Sequence, residues 1–225
     1  MDSNFFDQLS EEYSRVVKKN VSLIDGADEY LCRYKIEIAR QIAPDSQNIL
    51  DYGCGVGLSL THIEEKFPNS KIQGYDPSPK SVNIASEYHP NIPITTNKNE
   101  LLERSYDLIF MSCVIHHIPR QILKTEITHL IKLLKPHGTI LVFEHNPINP
   151  ITQLIVSLSP IDRDAQLIRK STLIEILLEI CPDLSVDGNY SVFFPDFLKF
   201  LRPLEKNILK KVPLGAQYFV KATLK

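Results

Sequence analysis

The run Asn48-Ile49-Leu50-Asp51-Tyr52-Gly53-Cys54-Gly55-Val56-Gly57 decides how this chain is read. Asn48 to Asp51 suits a short strand, and Leu58-Ser59-Leu60-Thr61-His62-Ile63 opens a helix. Between them stand three glycines at alternating positions, Gly53, Gly55 and Gly57. Glycine accepts positive φ and lets backbone come close to a ligand. A helix that starts behind such a turn offers free amide groups and the positive end of its dipole, which suits nucleotides and other anionic groups. Two acids sharpen the reading. Asp51 stands two residues before Gly53, at the end of the strand. A second strand, Lys71-Ile72-Gln73-Gly74-Tyr75, delivers Asp76, 19 residues after Gly57. A carboxylate there can accept both hydroxyls of an adenosine ribose. Each acid also has a plainer reading, Asp51 as a turn cap and Asp76 as a helix-entry residue before Pro77.

Working outward, residues 4–19 read as a helix carrying Phe5, Phe6, Leu9, Tyr13, Val16 and Val17 at helical spacing. Residues 28–42 read as another, with Leu31, Tyr34, Ile38 and Ile42 on one face. The helix Leu58–Phe67 stops at Pro68-Asn69-Ser70. Ser78 can cap a helix that has Pro79 at its first position and runs to about Tyr88. Ile92-Pro93-Ile94-Thr95 suits a short strand, and Pro93 places it at an edge. Tyr106 to Met111 is an apolar run for a strand buried on both faces. It leads through Ser112-Cys113-Val114-Ile115-His116-His117 to a helix beginning at Pro119 and ending at Lys135-Pro136-His137-Gly138. A strand over Thr139–Glu144 follows. The strand–helix alternation predicts right-handed crossovers and a parallel sheet, hence an α/β fold. Further on, Thr172 with Glu175 forms a capping-box pattern for a helix ending near Cys181. Ser185–Phe194 reads as a strand, residues 196–211 as a basic and apolar helix, and Ala216–Leu224 as the last strand.

Composition excludes several classes of protein. With 225 residues, 43% of them apolar and 23% charged, the chain suits one domain with appendages. A formal net charge of −2 gives no general pull toward nucleic acid. Cys32, Cys54, Cys113 and Cys181 are scattered without a C-x-x-C pair, which predicts reduced thiols and a cytoplasmic setting. The start Met1-Asp2-Ser3-Asn4 has no basic-then-apolar leader pattern. No apolar run approaches the ~20 residues that span a bilayer.

The pattern D-x-G-x-G-x-G over Asp51–Gly57, with Asp76 downstream, resembles class I S-adenosylmethionine-dependent methyltransferases rather than G-x-G-x-x-G dinucleotide binders. Two more blocks extend the likeness, Tyr106–His117 and the Lys135-Pro136-x-Gly138 turn into the next strand, so that it covers roughly residues 45–146. The resemblance implies a Rossmann-like, doubly wound, seven-stranded and mostly parallel sheet with an antiparallel C-terminal strand. It implies a single domain over 1–225: an N-terminal helical lid at 1–43, a cofactor-binding core at 44–146, and substrate-side and C-terminal strands at 147–225 with a helical insertion at 195–214. It implies S-adenosylmethionine as cofactor. Asp51 would orient the turn and the ammonium side, and Gly53, Cys54 and Gly55 would let backbone approach the methionine part. Asp76 and the adjoining Pro77 would hold the ribose, and Ser112 or Cys113 would lie near the amino-acid end. The family's acid for the adenine amine is missing from Thr95-Thr96-Asn97-Lys98-Asn99-Glu100, and Asn97 is the substitute. In the lid, Tyr13 either touches the cofactor or only packs its helix.

Methyl transfer is an in-line displacement from a sulfonium, so alignment carries much of the catalysis, and a base is needed only where the nucleophile must lose a proton. His145, His116, Glu144 and His117 are the candidates, His145 first; each histidine of the pair at 116 and 117 can equally be a packing residue. The same four side chains are metal-ligand types, but they have no established ligand spacing, so no metal is predicted. The segments Phe143-Glu144-His145-Asn146-Pro147-x-Asn149-Pro150, Phe193-Phe194-Pro195 and Leu201-Arg202-Pro203-Leu204-Glu205 resemble a methyltransferase subgroup of sugar and secondary-metabolite pathways. The expected partner is therefore a small-molecule or glycan-linked acceptor and no nucleic acid. The alternatives are a protein or nucleic-acid acceptor, or a non-catalytic cofactor-binding scaffold. Residues 196–211 read either as a lid or as a peripheral membrane contact.

Overall fold

The computed structural model describes residues 25–103, 105–159, 162, 164–194 and 196–225. The helix expected over residues 4–19, Tyr13 included, lies outside them. Seven strands hydrogen-bond in the order β3-β2-β1-β4-β5-β7-β6, with β1 at Asn48–Tyr52, β2 at Lys71–Tyr75, β3 at Ile94–Thr95, β4 at Tyr106–Ser112, β5 at Leu134–His145, β6 at Leu184–Ser191 and β7 at Gln217–Leu224. This is the mostly parallel α/β sheet with an antiparallel C-terminal strand that the sequence predicts. The chain divides into two compact units, residues 1–110 and 111–225.

In the first unit, β1 runs parallel to β2 and to β4, and β2 runs parallel to β3. Ile49 and Leu50 of β1 are fully buried, as a strand covered on both faces requires. Helices α1 (Asp25–Ile42), α2 (Leu58–Lys66) and α3 (Pro79–Tyr88) complete the unit. α3 starts as predicted: Ser78 caps it by accepting from the Ser81 amide at 3.2 Å, with Pro79 in the first turn. β3 is an edge strand, and Pro93, lacking an N–H, contributes only its carbonyl, which accepts from Gly74 at 2.9 Å.

In the second unit, β7 lies antiparallel to both β5 and β6. Helices α4 (Arg120–Leu133), α5 (Pro150–Leu158), α6 (Lys170–Ile180) and α7 (Arg202–Asn207) belong to it. α4 buries Leu123, Ile127, Leu130 and Leu133, a stripe at helical period. Tyr218, Val220 and Ala222 of β7 are buried at period two, as read from the sequence.

Four local expectations are corrected. The Lys135–Gly138 stop is no loop, because β5 begins at Leu134 and runs through it, with His137 at φ 63. α6 starts at Lys170 rather than behind Thr172, since the Leu173 amide already bonds the Arg169 carbonyl. β6 ends at Ser191, because Val192 turns to φ 59 and the amides of Phe193 and Phe194 go to the buried Glu205 carboxylate, each at 3.0 Å. Residues 196–211 are three short pieces, a 3-10 stretch Asp196–Leu201 kinked at Leu198, then α7, then a 3-10 turn Leu209–Lys211. Pro203 suits only a first helical turn, so the helix restarts there instead of continuing.

Candidate functional site

The glycine turn follows β1. Gly53, Gly55 and Gly57 all have positive φ, at 83°, 53° and 90°, which explains why glycine recurs there. The turn is pinned to β2, with the amides of Gly53 and Cys54 both bonding the Tyr75 carbonyl at 2.7 and 3.0 Å. Among the described residues, a Cβ on Gly55 would meet nothing within 4 Å, which leaves room for a ligand beside that backbone. Gly57 is different: a Cβ would meet the His89 ring at 2.8 Å. His89 braces the turn, its Nε2 3.0 Å from the Gly57 carbonyl and its Nδ1 3.2 Å from Glu64.

Asp51 is almost wholly buried and accepts a hydrogen bond from the Ser59 hydroxyl. Burial pushes its carboxyl up to about 7; the Ser59 bond opposes the shift and the nearby Asp76 charge adds to it. Asp76 is also buried, and burial raises its pKa against the opposing bonds from the Ser78 and Gly55 amides. Its Oδ1 accepts from Ser78 and its Oδ2 from Gly55, both at 2.9 Å. Each carboxylate oxygen retains a second lone pair, so Asp76 can shape the turn and still accept from a ligand hydroxyl. Two adjacent carboxylates held out of water form a cradle that favours a cation.

Asn97 stands apart from this pattern. It is exposed and its side-chain carbonyl accepts from the Asn99 amide at 3.1 Å, capping the 3-10 turn Lys98–Glu100. The Lys98 ammonium lies 6.0 and 5.8 Å from the centroids of the Tyr52 and Tyr75 rings, which stack 4.6 Å apart.

In the second unit, β4 ends at Ser112, and Cys113 takes φ 60, an uncommon conformation for a residue with a side chain. The Cys113 amide bonds the Phe143 carbonyl at 2.8 Å, and the Gln217 side-chain amide donates to its sulfur at 3.7 Å. The 3-10 turn Ile115–His117 then presents its histidines to the end of β5. Glu144 is fully buried; one oxygen accepts from the Ile115 amide at 2.6 Å and the other lies 2.5 Å from His116 Nδ1. His116 is also buried, with Nε2 3.2 Å from Asp162. Burial alone would lower its pKa, but Glu144 and Asp162 override this and hold it up to about 10. His117 is pushed down to about 4 by burial and by the adjacent His116 charge, so it stays neutral near pH 7. His145 lies above the usual histidine value: burial lowers it, but the neighbouring Cys113 sulfur outweighs that. The His116 ring centre is 4.1 Å from that of His117 and 5.3 Å from that of His145. All four sequence candidates for catalysis therefore gather in one cluster. Glu144 and His116 are enclosed within it, while His145 is only half-buried.

The distinctive Asn-Pro-x-Asn-Pro run proves to be a latch. Asn146, buried, donates to the carbonyls of Pro213 and Gly215 at 3.1 and 2.8 Å. Asn149 caps α5 and donates to the Leu214 carbonyl at 2.6 Å. Sequence reading missed Ser59, His89 and Asp162; the last two act on partners 32 and 46 residues away. Only Ser59 carries a local signal, a hydroxyl in the first turn of the helix behind the glycines.

Comparison with known proteins places the chain among methyltransferases. The family model described as a methyltransferase domain matches residues 24–172. The malonyl-[acyl-carrier protein] O-methyltransferase 1 of Ilyobacter polytropus is 32% identical over 181 residues, 76% of this chain and 66% of that protein. The trans-aconitate 2-methyltransferase of Escherichia coli is 29% identical over 118 residues, 52% of this chain and 43% of that protein. The chain thus spans just under two thirds of the first of these relatives and less than half of the second. Among solved structures, a SAM-dependent methyltransferase from Thermotoga maritima superposes with a TM-score of 0.68 at 15% identity, covering 99% of both chains, which shows a shared fold. With the family model covering β1 to β5, the glycine turn and the histidine cluster alike, the chain belongs to the class I S-adenosylmethionine-dependent methyltransferase family.

Proposed function

We propose that this protein transfers the methyl group of S-adenosylmethionine to an oxygen of a small-molecule acceptor. The observation that carries the reading is the pair of buried carboxylates, Asp51 and Asp76, around a glycine turn open at Gly55. The cofactor is a nucleoside bearing an ammonium and a sulfonium, and its positive charges suit that cradle. Asp76 accepts from the ribose, Pro77 shapes the turn beside it, Asp51 faces the ammonium side, and Gly53, Cys54 and Gly55 supply backbone. Ser112 and Cys113 are assigned to the amino-acid end. Asn97 is assigned to the adenine amine, its side-chain carbonyl accepting through a second lone pair or after its cap on the Asn99 amide opens, and Tyr13 to the lid.

In the reaction an acceptor oxygen attacks the methyl carbon in line. The new O–C bond forms as the S–C bond breaks, and the sulfur leaves with the electron pair as a neutral thioether. A carboxylate acceptor needs no base; a hydroxyl must lose its proton. His145 is the nitrogen assigned to that proton, with Glu144 and His116 positioning it. The relatives named above act on malonyl-acyl carrier protein and trans-aconitate, which supports a small carboxylate-bearing acceptor. A glycan-linked acceptor is the second reading, carried by the Phe143–Pro150 resemblance. The test is transfer of labelled methyl to two panels, dicarboxylates with their thioesters and nucleotide sugars with glycans. Methylation of the first panel, lost in Asp76→Asn, is expected. Methylation of the second alone would replace the acceptor class, and transfer to neither by a protein that binds the cofactor would contradict both.

A further inference from the structure

The positioning role given to His116 does not account for the approach of His117 and Asp162 to it. His116 Nε2 and His117 Nε2 lie 3.2 and 3.7 Å from the same oxygen, Asp162 Oδ1. The three donor atoms all lie within 4.8 Å of one another. Ligands bonded to one ion at ~2.0–2.2 Å stand about 3.0–3.6 Å apart, so both contacts to Asp162 are at or close to coordination spacing and a small turn of the rings would bring all three atoms onto one ion. The supporting shell is present as well. Glu144 takes Nδ1 of His116 at 2.5 Å and is itself fixed by the Ile115 amide at 2.6 Å, which leaves Nε2 as the ligating nitrogen. A carboxylate–histidine–metal relay of this kind fixes ring orientation and raises ligand basicity. The His116 side chain is fully buried, while those of His117 and Asp162 are 13% and 14% exposed, so the cluster has one edge open to an entering ion.

We propose that His116 Nε2, His117 Nε2 and Asp162 Oδ1 form a three-ligand site for a divalent transition-metal ion of the zinc class. Two imidazoles and one carboxylate are a donor set for such ions, and three protein ligands leave a position for water or another oxygen ligand. Glu144 is the positioning residue of the site. Sequence spacing could not show it, since two histidines are adjacent and the carboxylate lies 45 residues beyond His117.

The proposal is independent of the cofactor reading, and its test needs no S-adenosylmethionine. The full chain is stripped with a chelator and titrated with cobalt(II) chloride under visible absorption, then with zinc chloride by calorimetry. One equivalent of each metal binds with micromolar or tighter affinity, and cobalt shows the ligand-field bands of a low-coordinate nitrogen and oxygen site. Asp162→Asn and His117→Asn each weaken binding by more than about tenfold, and Glu144→Gln by about 10–100-fold. Thermal melts recorded on the same samples show that each variant compared is folded; two ligand variants are used so that one misfolded protein leaves the test intact. Absence of stoichiometric uptake by the wild type, or equal uptake by wild type and both folded ligand variants, would leave a hydrogen-bonded triad only and overturn the proposal.

Discussion

Asp51 sets two demands against each other. Its carboxyl, at about 7 in the folded chain against an ordinary 3.8, is raised, so it stabilises the apo fold fully only below the unfolded value. That contribution is lost as pH rises through about 7. The apo melting temperature should therefore fall between about pH 4 and 7 and level off above, and Asp51→Asn should melt higher than wild type near pH 8. A cationic cofactor makes the opposite demand, since it needs the ionised carboxylate. Affinity should rise with pH up to about 7 and level off above, and Asp51→Asn should bind more weakly, by about tenfold or more, with the slope gone. Calorimetry across that pH range measures both; a flat wild-type profile would separate Asp51 from the cofactor. Glu144 gives a second prediction at this scale. Its removal strands a buried histidine and the Ile115 amide, and breaking a buried pair costs about 3–5 kcal/mol. Urea unfolding of Glu144→Ala should show a loss of that size, and a loss below about 1 kcal/mol would mean the pair is not held as described.

Among the elements, the loop that joins β5 to α5 is held by side chains rather than by strand pairing. Asn146→Ala leaves the Pro213 and Gly215 carbonyls without their donor, and at the buried Gly215 an unpaired group costs about 1–3 kcal/mol. Asn149→Ala removes the α5 cap, worth about 1 kcal/mol. Denaturant curves should rank Asn146→Ala as the more destabilising of the two. In the sequence these positions belong to the Phe143–Pro150 segment that resembles a methyltransferase subgroup. Their role became visible only with residues 213–216 alongside. Residues 196–211 misled in another way. The apolar spacing there is helical, but Pro203 and the kink at Leu198 divide it, and Glu205 turns inward to cap the end of β6. Phe200, Leu204 and Ile208 remain exposed, and among the described residues no helix is long and apolar enough to cross a membrane.

For the molecule as a whole, the glycine turn and the alternation of apolar strands with amphipathic helices made the fold legible. Both signals are local: positive φ selects glycine residue by residue, and burial on two faces selects continuous runs such as Tyr106–Met111. The strand order places β7 between β5 and β6, where the sequence reads Ala216–Leu224 as the last strand. The site was legible in parts. Asp51, Asp76 and the four catalytic candidates stood out by type and position, while His89 and Asp162 did not, since sequence carries no distance between positions so far apart; Ser59 was one hydroxyl among others beside the turn. The central claim is that the turn and its two acids bind S-adenosylmethionine. One titration tests it most directly: calorimetry of the full chain with S-adenosylmethionine, its demethylated product and NAD, in wild type and in Asp76→Ala. Micromolar binding of the first two by the wild type, none of NAD, and a loss in Asp76→Ala are expected. No binding of either sulfur nucleoside, or undiminished binding in Asp76→Ala, would contradict the claim.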